Sequence, residues 1–497
     1  MNNSVQTADS EFGPIRSALW PIHGFEMKKF LPMSFLMFFI LLVYRMARDL
    51  KDVLIRKLAI CGGTELIPQL KLWFVMPATF LIVMLYAVLI NKFGFKRTFY
   101  TMISIYASFY LIFMLFLYPN FEVIHASEAT VRAMQASWPP FFYWIIPCLT
   151  NWSFTMFYVL ADIWGTLAIS SLFWQFAYKV TMQNEVKRFF ALYPIIGSTG
   201  VICSGWFLKI LSHLPGDTYI KICVAVCVFS CFVILALFFY VNNIVLKDPR
   251  LYNAENVTEK KKKEKVGMLD GIKILCKSPY LLMICALVLC YGISTNFFEI
   301  VWKKYMDVTI KSGNGISEMM ANLSILTGVI TIVSSFVGQN IFRKTSWKRA
   351  ALVPVVALMI FGGFFFGIVL YGKYVSPTIF GVHFATIAVW FGVFQDAFSK
   401  SVKYCFFDST KNMAYLPLDE ETKTKGQAAV ELIGGRSGKA GASAVNTFLT
   451  SVVSPGSTII NHVVTIVVLF TLALGVWFGS VLNLSKKYEA KVAEKNA

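Results

Sequence analysis

The chain reads as an all-α polytopic membrane protein of about twelve transmembrane helices, arranged as two parallel six-helix halves. Three observations predict this. Hydrophobic residues fill 57% of the 497 positions and mean hydropathy is +0.63, more apolar side chain than a soluble protein can hide beneath a polar surface. Those residues gather into segments near the ~20 residues that a helix needs to cross a bilayer. The second half of the chain also echoes the first, in the same order and direction.

The first six segments centre on about 30–47, 70–91, 98–118, 143–178, 190–212 and 219–242, and the second six on about 279–303, 317–341, 350–371, 378–400, 427–453 and 458–482. The first ends in charged residues rather than a small-residue cleavage site, so it is a retained span and not a signal peptide. The fourth is long enough for a tilted helix plus an interfacial stretch. These edges divide the chain into an amino-terminal segment (1–28), a half (29–245), a basic linker (246–278), a second half (279–484) and a tail (485–497).

Lys and Arg outnumber Asp and Glu by 46 to 27, a net charge of +19. In a soluble chain that excess would point to nucleic acid. Here it sits in loops, at Lys92, Lys96 and Arg97, at Lys260–Lys263 and Lys265, and at Arg343, Lys344, Lys348 and Arg349. Anionic lipid, and no nucleic acid, is then the expected partner. The opposite loops are poorer in positive charge, so the positive-inside rule puts both termini and the linker in the cytoplasm. Most of the ten cysteines lie inside apolar runs and no pair has metal-site spacing, so neither a disulfide framework nor a metal centre is expected.

The repeat is faint but ordered. Asn91 to Arg97 resembles Arg343 to Arg349 at an offset of 252, and Asp52-Val53-Leu54-Ile55 echoes Asp307-Val308-Thr309-Ile310 at an offset of 255. Gly197 and Gly200 fall opposite Gly435 and Gly438. Parallel six-helix halves joined by a linker are the plan of major-facilitator-type carriers, which hold their cargo near the midplane and rock the halves around it.

A charge at bilayer depth costs a few kcal/mol and marks a pathway by default. Span one ends with Arg45, Arg48, Asp49, Lys51 and Asp52; span four holds Asp162; span seven holds Glu299 and Lys303; span ten ends with Asp396, Lys400 and Lys403. Spans one, four, seven and ten line the cavity in such carriers, so the cargo is expected to be charged. Asp49, Asp52, Asp162 and Glu299 are candidates for coupling or gating; Arg45, Arg48, Lys51, Lys303 and Lys400 are candidates to bind an anion. The stretch Gly434 to Gly441 tempts a phosphate-loop reading and fails it. Ile433 stands where the first glycine belongs, and Ala440 replaces the Ser or Thr that would hold magnesium. A hydrolytic pump is not expected, although Arg436 and Lys439 remain candidates to face phosphate.

Trp20-Pro21-Ile22, Ser171 through Ala177, Lys187-Arg188-Phe189, Asp248-Pro249-Arg250, Tyr291 through Ser294, Lys403-Tyr404 through Asp419 and Lys425-Gly426-Gln427 together resemble the ATP:ADP antiporter family, the nucleotide transporters of obligate intracellular bacteria and plastid envelopes. The resemblance covers nearly the whole chain. It implies exchange or proton-coupled uptake of intact nucleotides across a bacterial inner membrane, without cofactor, metal or hydrolysis. It also implies transport roles for Lys51, Asp162, Glu299 and a lysine between Lys423 and Lys439, of which Lys425 is chosen here. Two departures matter. The family's exchangers usually have Glu where this chain has Asp162, and a more polar approach to the charged end of span one than Leu42-Val43-Tyr44. ATP/ADP exchange is the leading expectation; uptake of UTP, GTP, CTP or NAD, by proton symport or counter-exchange, is the alternative. Tyr44, Trp164, Phe297 and Trp302 are candidates to stack the base. No soluble domain or catalytic constellation favours an enzyme or a receptor, and a monomer is expected.

Overall fold

The computed structural model describes residues 20, 22–248, 250–252, 268–379, 381–415 and 417–496. Among these, nine helical stretches are long and apolar enough to cross a membrane. The longest, Leu66–Leu117, is two spans. Gly94 breaks it with φ 73°, a left-handed backbone that a glycine adopts without steric cost. Contacts with the fourth helix and the short turn before it show the reversal: Leu66 meets Cys148 and Tyr86 meets Gln175, whereas Tyr106 meets Trp164 and Phe113 meets Phe157. Two further runs, 384–414 and 420–453, are as long but more polar. Twelve long helices result.

These are α1 (Met27–Leu58), α2 (66–93), α3 (95–117), α4 (Trp152–Val180), α5 (Gln183–Leu211), α6 (Gly216–Asn243), α7 (Pro279–Thr309), α8 (Gly313–Lys344), α9 (Trp347–Tyr374), α10 (384–414), α11 (420–453) and α12 (Val463–Asn496). A short hairpin, β1 (Thr378–Ile379) with β2 (Val382–His383), leads into α10. The fourth predicted segment divides at Asn151, whose amide donates to the Ile60 carbonyl and accepts from its N–H, pinning the loop after α1. The amino-terminal residues 1–19 and the lysine run at 260–265 lie outside the described residues.

The repeat seen in the sequence is a repeat of packing. α1 packs on α4, α5 and α6; α7 packs on α10, α11 and α12. The repeat-related glycines serve the same joint. A Cβ on Gly200 would collide with the Phe38 backbone of α1, and one on Gly438 would lie 2.8 Å from the Leu289 carbonyl oxygen of α7. Small residues therefore let α5 and α11 approach their central partners closely. Between the halves, α5 packs on α8 and α2 on α11. With twelve spans among the described residues, the start of α1 and the end of α12, the termini of the described bundle, emerge on one face.

Candidate functional site

A cavity opens between the halves at mid-depth, and helical periodicity decides which charges reach it. On α1, Tyr44, Arg48 and Lys51 recur at i, i+4 and i+7 and form one stripe on the cavity wall. On α7 the stripe is Tyr291, Thr295, Glu299 and Lys303; on α10 it is Asp396, Lys400 and Lys403 with Tyr404. α2 contributes Lys71 from a π-helical stretch, Leu70–Val75, and α10 passes through another at Lys403–Phe407; such bulges rotate side chains away from a regular register. α4 supplies Tyr158 and Asp162, and α11 supplies Lys439 and Ala440.

The charges are knitted across helices. Lys51 donates to Asp162, with its ammonium 3.8 Å from the Tyr158 ring centroid. Glu299 serves three cations: Lys303 one turn along at 2.7 Å, Arg48 of α1 at 3.7 Å and Lys71 of α2 at 3.8 Å. Lys71 also donates to the Asn296 side chain at 2.9 Å. Arg48 donates to the Tyr44 hydroxyl at 2.7 Å, Lys400 pairs with Asp396 at 2.5 Å, and Lys403 stands 3.4 Å from Asp408. Lys439 has no ion-pair partner among the described residues and its side chain is exposed to the cavity. Seven basic side chains thus face three carboxylates along the wall. The depth of each residue along its helix separates two poles. Lys51, Lys71, Tyr158 and Lys303 lie toward the face opposite the termini; Tyr44, Tyr291, Lys403, Tyr404 and Lys439 lie at mid-depth or nearer the termini.

The structure therefore gathers Tyr44, Arg48, Lys51, Asp162, Glu299, Lys303, Lys400 and Lys439 of the sequence candidates. It sends others elsewhere. Arg45 and Asp49 sit on the neighbouring stripe of α1, paired at 3.1 Å and both bonded to Ser324 of α8, in a buried contact between the halves. Asp52, on that stripe too, pairs with Lys303 at 2.8 Å. Trp164 and Trp302 do not line the cavity. Each is fully buried and donates its indole N–H to a backbone carbonyl, Ile40 and Val389 respectively. Phe297 is buried in the core as well. One residue of helix turns a side chain by ~100°, so the neighbours of a cavity stripe face another helix. Lys425 and Arg436 lie on α11, with side chains outside the described residues. Lys71, Tyr158, Tyr291, Asp396, Lys403 and Tyr404 are cavity residues that no site assignment from sequence included.

A family model described as "TLC ATP/ADP transporter" matches residues 5–488. The chain is 36% identical to "ADP,ATP carrier protein 1" of Chlamydia muridarum, covering 99% of this chain and 94% of that protein. It is 33% identical to "ADP,ATP carrier protein 1" of Rickettsia typhi, covering 98% and 99%. Among solved structures, a bacterial homologue of the iron transporter ferroportin in an inward-facing state superposes with a TM-score of 0.57 over 93% of this chain and 98% of its own, at 12% identity. That likeness is one of fold alone, and it agrees with the all-helical polytopic plan expected from the sequence. On the length and identity of these matches, the chain belongs to the TLC ATP/ADP transporter family.

Proposed function

We propose that the protein exchanges ATP for ADP by alternating access, as a monomer in a bacterial inner membrane with both termini in the cytoplasm. One observation carries the reading: seven cations converge on a cavity between the two halves. ATP carries about four negative charges at neutral pH and ADP about three, and charge-assisted bonds from Lys and Arg suit phosphate oxygens. The phosphates belong at the pole of Lys51, Lys71 and Lys303, and the base belongs among Tyr44, Tyr291 and Tyr404, whose rings suit stacking. Curated relatives at above 30% identity bear the name ADP,ATP carrier.

Exchange rather than one-way flow follows from the same charges. In the empty cavity Asp162, Glu299 and Asp396 stand in for the cargo as counter-anions. Three carboxylates do not balance seven cations, and excess positive charge is costly to seal from water. A bound polyanion removes that cost, so the loaded carrier rocks and the empty one does not. Variants test the site. Lys51→Ala and Glu299→Gln are each expected to abolish ATP/ADP exchange while leaving membrane insertion intact. Exchange at the parental rate in both would remove them from the site, and UTP uptake driven by an inward proton gradient would replace ATP/ADP exchange with the alternative cargo.

A further inference from the structure

The two aspartates that betray the sequence repeat, Asp52 and Asp307, take part in none of the phosphate chemistry above. Each accepts an ion pair from the opposite half. Asp52 of α1 pairs with Lys303 of α7 at 2.8 Å, and Asp307 of α7 pairs with Arg56 of α1 at 2.6 Å. Further contacts tighten the same place. Arg56 also donates to the Lys303 carbonyl at 2.8 Å, Lys57 donates to the Ile310 carbonyl at 3.1 Å, and Thr64 donates to Asp307. Lys304 pairs with Glu65 at 2.6 Å. The basic end of α1 thus caps the last carbonyls of α7, where the helix dipole is negative. All these groups lie toward the face opposite the termini, above the cavity floor, and Arg56 is buried along its whole side chain.

We infer that the reciprocal pairs Arg56–Asp307 and Lys303–Asp52 are the gate that seals the cavity on the face opposite the termini, and that Arg56 and Asp307 are positioning residues of the transport cycle. The halves cannot part on this face while the pairs hold. Once they part, water hydrates both members. Removing one member strands a charge that is buried only in the closed form, so the loss favours opening by more than the net worth of the pair. Lys303 joins the gate to the cavity, since its ammonium is shared between Asp52 and Glu299.

The test is thiol labelling from the face opposite the termini. Ala440, on the cavity wall, is changed to cysteine in a Cys61→Ser background, because Cys61 follows α1 on that face. A membrane-impermeant maleimide is then applied to the full-length protein in sealed vesicles. Arg56→Gln and Asp307→Asn are each expected to raise the labelling rate several-fold. The swap Arg56→Asp with Asp307→Arg is expected to bring it at least halfway back. Lys57→Gln, which removes the cap on the α7 carbonyls and a long 4.0 Å contact with the Asp307 carboxylate but leaves both gate pairs in place, is expected to give a smaller rise and serves where a charge variant fails to reach the membrane. Labelling at the parental rate in all three single variants, or a rise that the swap does not reverse, would overturn the gate. Nothing in the gate depends on the identity of the cargo, so labelling and nucleotide exchange fail separately.

Discussion

Residue by residue, what separates a cavity charge from a structural one is its stripe on the helix. Arg45 and Arg48 are three positions apart in a run of charges, yet Arg48 reaches the cavity and Arg45 is buried against Ser324 of α8. Their substitutions should therefore differ in kind. Arg45→Met leaves Asp49 buried without its cation, a loss on the order of 3–5 kcal/mol for a broken buried pair. A lower melting temperature in detergent, with the KM for ATP unchanged, is the expected result; a raised KM with unchanged stability would put Arg45 in the site. Lys439 makes no ion pair among the described residues, so Lys439→Gln mainly removes its bond to the cargo. Charged hydrogen bonds are worth about 1.5–3 kcal/mol, which predicts a rise in KM of roughly ten- to a hundred-fold in exchange kinetics at unchanged stability. Eight of the cavity groups were legible as charges or a tyrosine near the middle of apolar segments. Lys71 was not, because at the edge of a span a lysine looks like an ordinary snorkelling anchor. The tryptophans misled for the opposite reason: each lies one or two residues from a cavity position, and a sequence does not print the side a helix presents.

Among the elements, α10 and α11 are the more polar runs and the hardest to delimit. The segment expected to end near 400 continues as α10 to 414, through the π-helical stretch that brings Lys403 and Tyr404 to the cavity. Its polarity hid that length, because hydropathy reports contact with lipid and α10 contacts the cavity. The α2–α3 turn was marked in the sequence by Lys92, Lys96 and Arg97, and a single left-handed glycine makes it. Close joints are exacting. Gly438→Leu would drive a side chain into the α7 backbone at Gly292 and Leu289, and loss of the folded protein from the membrane is expected, measured by size-exclusion profile in detergent. The α3–α4 connection carries a proton-linked test. His125 is buried, bonds Ser153 at 2.8 Å, and burial pushes its imidazole down from 6.5 to about 4. A depressed histidine favours the neutral ring, so its stability is intact above the unfolded value of 6.5 and is lost as pH falls toward 4. Screening at the loop surface brings this to roughly 1 kcal/mol. The melting temperature should fall by a few degrees between pH 7 and pH 5, and His125→Gln should flatten that slope. An identical slope in the variant would assign the pH dependence to other groups.

For the whole molecule, two similar halves close over a cavity whose walls carry more positive than negative charge. The two-half plan was readable from weak matches because they kept their order and direction, and packing repeats it. What the sequence did not display was the second charge system, the reciprocal pairs that tie the end of α1 to the end of α7. Both systems draw on one run of residues, 44 to 57, in which the helix turns alternate charges to cavity and gate. The central claim, that the cavity moves only when a nucleotide fills it, is tested most directly by counterflow. Purified protein is placed in liposomes loaded with ADP or left empty, and entry of labelled ATP is followed at equal pH on both sides. Rapid accumulation in ADP-loaded vesicles, with entry near background in empty ones, is the predicted result. Equal entry into both, or no nucleotide counterflow at all, would contradict the account.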